Sequence, residues 1–195
     1  VSRRYLVLHG WQNHRPPEHW EWQLVDALRA RGEQVLYPQL PAPDHPVLDD
    51  WLDVLAGEWQ QMGDGERVVV AHSLSCLLWL HAAERGLVEP PADRVLLVAP
   101  PSPAVTSSYA EMAGFLAPVD PASVWLSSRD PVRLVASADD PWSAEGTADA
   151  LYGGPLGLDS EVLPGAGHVT IEDGFGPWPA VLAWALDPAS RFGSA

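Results

Sequence analysis

Six short apolar runs punctuate the chain, at 5–8, 35–37, 68–71, 95–98, 132–135 and 161–163. Most are β-branched or leucine-rich and carry no alternating polar positions, which is the pattern of strands covered on both faces. Between them the apolar spacing becomes helical. Leu48, Trp51, Leu52, Leu55 and Trp59 recur at i, i+3, i+4, i+7 and i+11, and Trp20, Leu24, Ala27 and Leu28 trace a similar stripe. Leu74, Leu77, Leu78 and His81 follow the third run, and Phe175, Trp178, Val181, Leu182 and Leu186 predict a closing helix. Alternation of this kind predicts an α/β fold with a mainly parallel six-stranded sheet and helices on both faces. A chain of 195 residues, 47% of them hydrophobic, is sized for one domain spanning 1–195 with a sizeable core.

One stretch breaks the alternation. Residues 100–130 are rich in Pro, Ser and Ala, with a short helix expected around 108–116. They follow the fourth strand and therefore lie over the carboxyl edge, where open α/β sheets bind ligands. Loops longer than about 12–15 residues are uncommon unless functional or disordered, so the stretch reads as a small lid.

Charge narrows the partners. Eleven basic against 26 acidic residues leave a net charge of −15, which argues against nucleic acid or an anionic membrane surface. The single cysteine, Cys76, forms no internal disulfide, and a reduced, cytoplasmic setting is the expectation. No apolar run reaches the roughly 18–20 residues that span a bilayer. The first run stops at His9-Gly10, short of a signal peptide's apolar region, and reads as a strand.

The third run ends in Ala71-His72-Ser73-Leu74-Ser75. A serine at a sharp strand-to-helix turn is exposed at the sheet edge and can act as a nucleophile, although the glycines of G-x-S-x-G are replaced by Ala71 and Ser75. The competing reading is a serine that caps the next helix. Two further features favour the nucleophile. His168 follows the sixth run behind Gly165 and Gly167, which permit a tight loop that returns an imidazole over the sheet. Asp139 and Asp140 follow the fifth run, and a carboxylate on the far imidazole nitrogen fixes the tautomer of a general base. Asp140 is taken as that acid, with Asp139 the alternative. The order Ser73, Asp140, His168 is the order of the α/β-hydrolases.

An oxyanion hole would draw on the backbone N–H of Leu74, next to the serine, and of Trp11, after Gly10 in the first loop. Trp11 and Trp142 adjoin the same loops and are expected to line the substrate site; Trp20, Trp22 and Trp125 are weaker candidates. His9, His14 and His19 are spaced by five, off any single helical face, and no metal site is predicted. His72 is expected to pack in the turn, His81 to be structural and Cys76 to be buried.

The chain also resembles the YdeN-like serine hydrolases, the family that includes retinoblastoma-binding protein 9. The resemblance rests on "VLHGWQNHRPPEHWEWQLVDAL", "YPQLPAPDHPVLDDWLDVL", "VVVAHSLSC", "VASADDPW" and "GAGHVTIEDGFGPWPAVLAWAL". It implies a compact α/β-hydrolase without a large cap and a Ser–Asp–His triad mapping onto Ser73, Asp140 and His168, the acid being the one before proline. The sequence thus predicts a hydrolase of a small-molecule acyl substrate that needs no cofactor. A binding protein on the same scaffold is the rival reading. Substrate and oligomeric state are not written in the sequence.

Overall fold

The computed structural model of the chain describes residues 2–117 and 120–193. Six strands form one sheet: β1 (Arg3–Leu8), β2 (Gln34–Leu36), β3 (Glu66–His72), β4 (Arg94–Val98), β5 (Arg133–Ser137) and β6 (Asp159–Leu163). Their order across the sheet is β2-β1-β3-β4-β5-β6, and every neighbouring pair is parallel. Parallel pairs need crossovers, and these are supplied by the helices. The main ones are α1 (Trp20–Arg29), α2 (Leu48–Gln61) and α3 (Leu74–Glu84).

Side-chain alternation along the strands divides the interior into two cores. Val69, Ala71, Leu97 and Leu134 face Trp51, Leu55, Leu77 and Leu78 of α2 and α3. Val68, Val70, Leu96 and Val135 face Trp20, Leu24 and Leu28 of α1 on the other side. The four inner strands therefore bury both faces, which explains why their runs lack polar alternation, whereas the edge strands β2 and β6 each have one buried residue. Helix α3 is buried along Leu74–Ala83 and is apolar on all sides, as a helix enclosed by protein must be.

The segment expected to carry a helix around 108–116 folds differently. It forms α4 (Pro103–Ser108), a 3-10 turn at Ala113–Phe115, and α5 (Pro121–Leu126). Ser102 caps α4 and Pro103 occupies its first turn, which sets the start earlier than expected. Ser107 and Ser108 then bond back to the carbonyls of Pro103 and Val105, and α4 ends there. Phe115 is fully buried and meets Trp51 edge-on at 5.1 Å, so this part of the segment is packed onto the domain. Pro118 and Val119, inside the expected lid stretch, lie outside the described residues.

After β5 a π turn at Asp149–Gly153 runs into the short α6 (Gly154–Leu156). The closing helix α7 spans Pro179–Leu186 and packs beside α1, leaving Phe175 and Trp178 in the turn before it. Proline at the first helical position and a non-helical Trp178 before it fix that boundary. Among the described residues no helix is long and apolar enough to cross a membrane.

Candidate active site

Strand β3 hands the chain to α3 through a single strained residue. Ser73 has φ 53° and ψ −122°, a conformation that L-residues rarely adopt. Its N–H is held by the Val98 carbonyl at 2.9 Å, and its own carbonyl receives the Cys76 N–H at 2.9 Å. This is a sharp elbow, and it lifts the Ser73 side chain to the carboxyl edge of the sheet.

The elbow lacks flanking glycines but not room. Ala71 and Ser75 are both fully buried. The Ser75 hydroxyl donates to the His9 carbonyl, so α3 is tied to the loop after β1. The glycine that matters is in that loop: a Cβ on Gly10 would sit 2.8 Å from the Ser73 Cβ. His9 braces the same loop, its Nδ1 lying 2.9 Å from the Gly10 carbonyl and its Nε2 accepting the Leu40 N–H at 2.9 Å. Burial lowers its pKa to about 4 and keeps it neutral.

His168 lies on the loop after β6. Gly165 and Gly167 there have φ of 65° and 53°. At Gly167 any side chain would collide with the Asp173 carboxylate. Asp173 accepts the His168 N–H at 2.8 Å and two bonds from Thr170, at 2.9 and 3.1 Å. Asp139 stitches the loop to β5 by accepting the Gly167 N–H at 3.1 Å while pairing with the Ser137 hydroxyl at 2.6 Å. The Ser137 hydroxyl and the Gly167 amide hold its carboxyl below the usual range.

These loops bring the three predicted residues together. His168 Nε2 lies 2.8 Å from Ser73 Oγ. Its Nδ1 lies 2.9 and 3.0 Å from the two oxygens of Asp140. Asp140 and His168 are both buried, and Asp140 Oδ1 also accepts the Trp142 N–H at 2.8 Å. Of the two adjacent aspartates, Asp140 faces the imidazole and Asp139 faces the loop backbone.

A cleft of about 670 Å³ opens over Ser73. Trp11 and Trp142 both line it, and they meet edge-on at 5.8 Å. Tyr109 packs on both, at 5.3 and 5.5 Å, and Trp142 stacks against His168 at 5.6 Å. The other tryptophans weighed from the sequence fall elsewhere. Trp20 is core, Trp22 packs near Tyr37, and Trp125 is exposed on α5. Leu74 is the first residue of α3, and first-turn N–H groups have no partner within their own helix. Trp11 directly follows Gly10 and so borders the serine.

The remaining histidines separate. His14 is exposed beside Asp44, and His81 is buried against the Phe115 carbonyl. His19 caps α1 and lies with Glu21 and His72, not with His9 and His14; ligand-type atoms of those three lie within 4.8 Å of one another. Cys76 is buried among apolar residues, which pushes its thiol pKa far up. The bracing by His9, Ser75, Asp139 and Asp173 left no mark in the sequence, because each acts through a backbone contact with a residue remote in the chain or across a turn.

Comparison with known proteins agrees with this architecture. A family model described as serine hydrolase matches residues 5–185. The YdeN protein of Bacillus subtilis (strain 168) is 30% identical over 98 residues, half of this chain and half the length of that protein. The crystal structure of the B. subtilis ydeN gene product superimposes with a TM-score of 0.78 at 24% identity, covering 94% of this chain and 96% of that one. The esterase domain of a Rhodothermus marinus protein gives 0.65 at 15% identity, covering 93% and 85%. With nearly its whole length matched by the family model and its fold superimposing on that of the B. subtilis ydeN gene product, the chain belongs to the serine hydrolase family, as a YdeN-like α/β-hydrolase.

Proposed function

We propose that the protein hydrolyses a small acyl substrate through a Ser73–His168–Asp140 triad. The observation that carries this reading is the imidazole of His168, which bridges Ser73 Oγ at 2.8 Å and the Asp140 carboxylate at 2.9–3.0 Å. A serine hydroxyl is a weak nucleophile until a base takes its proton. His168 Nε2 takes that proton as Ser73 Oγ attacks the carbonyl carbon of an ester, thioester or amide. Asp140 holds Nδ1–H and stabilises the imidazolium that forms. The backbone N–H groups of Leu74 and Trp11 face the developing oxyanion. Collapse expels the leaving group with the proton from His168 and leaves an acyl-enzyme. Water, deprotonated by the same imidazole, then releases the acid. The sequence of steps needs no cofactor.

The cleft frames the substrate. Trp11, Trp142 and Met112 offer an apolar wall, and Ile171 faces it from the His168 loop. A carboxylesterase acting on a short acyl chain suits a cleft of this size. The test is a fluorophosphonate probe together with activated esters of increasing acyl length. Labelling of the wild type that is lost in Ser73→Ala supports the hydrolase. Folded wild-type protein that neither labels nor cleaves any activated ester would leave a binding protein on a hydrolase scaffold.

A further inference from the structure

Beneath the loop that carries His168 lies a second group of ionisable side chains that the proposed reaction does not use. Glu21 on α1 is fully buried, and His72 and His19 are only 3% and 5% exposed. The protons in this group can be assigned from their partners. Glu21 Oε2 accepts the Tyr37 hydroxyl at 3.1 Å and the Asn13 amide at 2.9 Å. His72 Nε2 lies 3.0 Å from the carbonyl oxygen of His168. A carbonyl only accepts, so Nε2 carries the ring hydrogen and Nδ1 carries a lone pair. Among the described residues that Nδ1 has no hydrogen-bond partner, nor has Glu21 Oε1, and the two face each other 4.0 Å apart. Two buried orphans aimed at one another call for an explanation. A protonated Oε1 supplies one: it places a donor opposite the lone pair, within reach through a small side-chain shift or one bridging water.

We infer that Glu21 is a positioning residue: as a neutral acid it keeps His72 in the tautomer that ties down the backbone of His168. This rests on the reading of His168 as the catalytic base. The consequence of ionising Glu21 is mechanical. A buried carboxylate would draw the ring hydrogen of His72 to Nδ1. The Nε2 lone pair would then face a carbonyl oxygen at 3.0 Å, and an attraction would become a repulsion. The loop would relax, and with it the 2.8 Å contact between His168 and Ser73.

The surroundings favour the neutral acid. Burial raises the Glu21 pKa to about 8 and holds His72 well below the ordinary range. The ionisable groups that face the cluster are Tyr37 at the end of β2, His19 at the cap of α1, His168 above and Cys76 from α3, with His9 nearby. Arg15 sits over the Tyr37 ring at 5.3 Å, and Glu172 bears on His19. A metal is a poorer match for the same three residues. His19 Nδ1 already accepts the Glu21 N–H at 3.3 Å, which occupies the lone pair a metal would need.

The experiment compares pH–rate profiles of ester hydrolysis with the ring-nitrogen NMR spectrum of His72. Wild-type turnover should fall above pH about 8, by about tenfold per pH unit, as Glu21 ionises. Glu21→Ala should lower turnover at pH 7. Glu21→Gln, whose amide can donate to His72 at every pH, should restore it and move the alkaline limb upward. His72 should carry its hydrogen on Nε2 at pH 7 in the wild type and shift it to Nδ1 across the same limb. Coincident alkaline limbs for wild type and Glu21→Gln, or an Nδ1–H tautomer at pH 7, would overturn the inference. So would turnover that changes on treatment with EDTA, which would hand the cluster to a metal. If the wild type cleaves no ester at any pH, the hydrolase reading fails on its own and the His72 tautomer still decides this one.

Discussion

The two edges of the sheet are built by opposite means. At the amino edge β1, β4 and β5 begin with arginines. Arg3 pairs with Glu66 at 3.1 Å, Arg94 with the same Glu66 at 2.7 Å, and Arg133 with Asp159 and Glu161 at 2.7 Å each. Arg94 also donates to the carbonyls of Trp184 and Ala185, which joins β4 to α7. At the carboxyl edge burial lowers the pKa of the imidazoles of His9, His19 and His72, and the backbone is strained. Among the described residues six non-glycine positions have positive φ, namely Gln12, Arg15, Ala42, Ser73, Ala99 and Val169. All six lie in segments that follow the carboxyl end of a strand. One edge contributes stability through paired charge; the other gives some up to hold side chains in positions that relaxed backbone would not reach.

Substitutions that break this division should differ in kind as well as size. The largest effect belongs to the proposed triad. Ser73→Ala should abolish ester cleavage with folding intact. Asp140→Asn should cut turnover by about 10⁴, the order expected when the imidazole loses its orienting acid, whereas Asp139→Asn should stay mild in turnover. Steady-state kinetics beside circular dichroism decide it, and a reversed order of the two aspartates would reverse the assignment. Next comes Gly10→Ala. The added carbon would stand 2.8 Å from the Ser73 Cβ, and displacing the proposed nucleophile by about an ångström should cost about a hundredfold in turnover.

The amino edge should answer differently. Arg94→Ala takes the donor from the buried Trp184 carbonyl and leaves the Ala185 carbonyl with the Tyr5 hydroxyl alone. Urea unfolding should report a loss of about 1–3 kcal/mol, the cost of one acceptor left unpaired, while the turnover of the folded fraction stays near wild type. A fall in turnover as large as that in stability would show that the edges are coupled. The smallest effect is expected from Ser75→Gly, which restores a residue common in such elbows but removes the hydroxyl bond to the His9 carbonyl. A cost of about 1 kcal/mol and a few-fold drop in turnover are expected; a rise would mean that the bond constrains the elbow unproductively.

The sheet was legible because its inner strands are buried on both sides, so their composition alone marks them. The same logic placed Ser73, Asp140 and His168, each just past a strand, at one edge. Helix boundaries in 100–130 were not legible from apolar spacing, since the caps Ser102 and Asp120 with their following prolines set them. Ser75 read as a weakening of the elbow, yet its hydroxyl has a partner 66 residues upstream. Glu21 sat among the residues of an amphipathic helix with nothing to show that it is fully buried, because its partners come from β2, β3 and the first loop.

The contact between Gly10 and Ser73 has a consequence for how such sites are recognised. A serine at such an elbow needs empty volume beside it, and that volume belongs to no particular position in a motif. Here it is reserved by a glycine 63 residues upstream, on the adjacent strand's loop, whose missing side chain is occupied by the serine itself. A signature spelled along the chain treats space as a local property. In this fold the space is shared between neighbours in the sheet, so the two loops are bound to vary together: a bulkier residue at one would have to be matched by a retreat of the other.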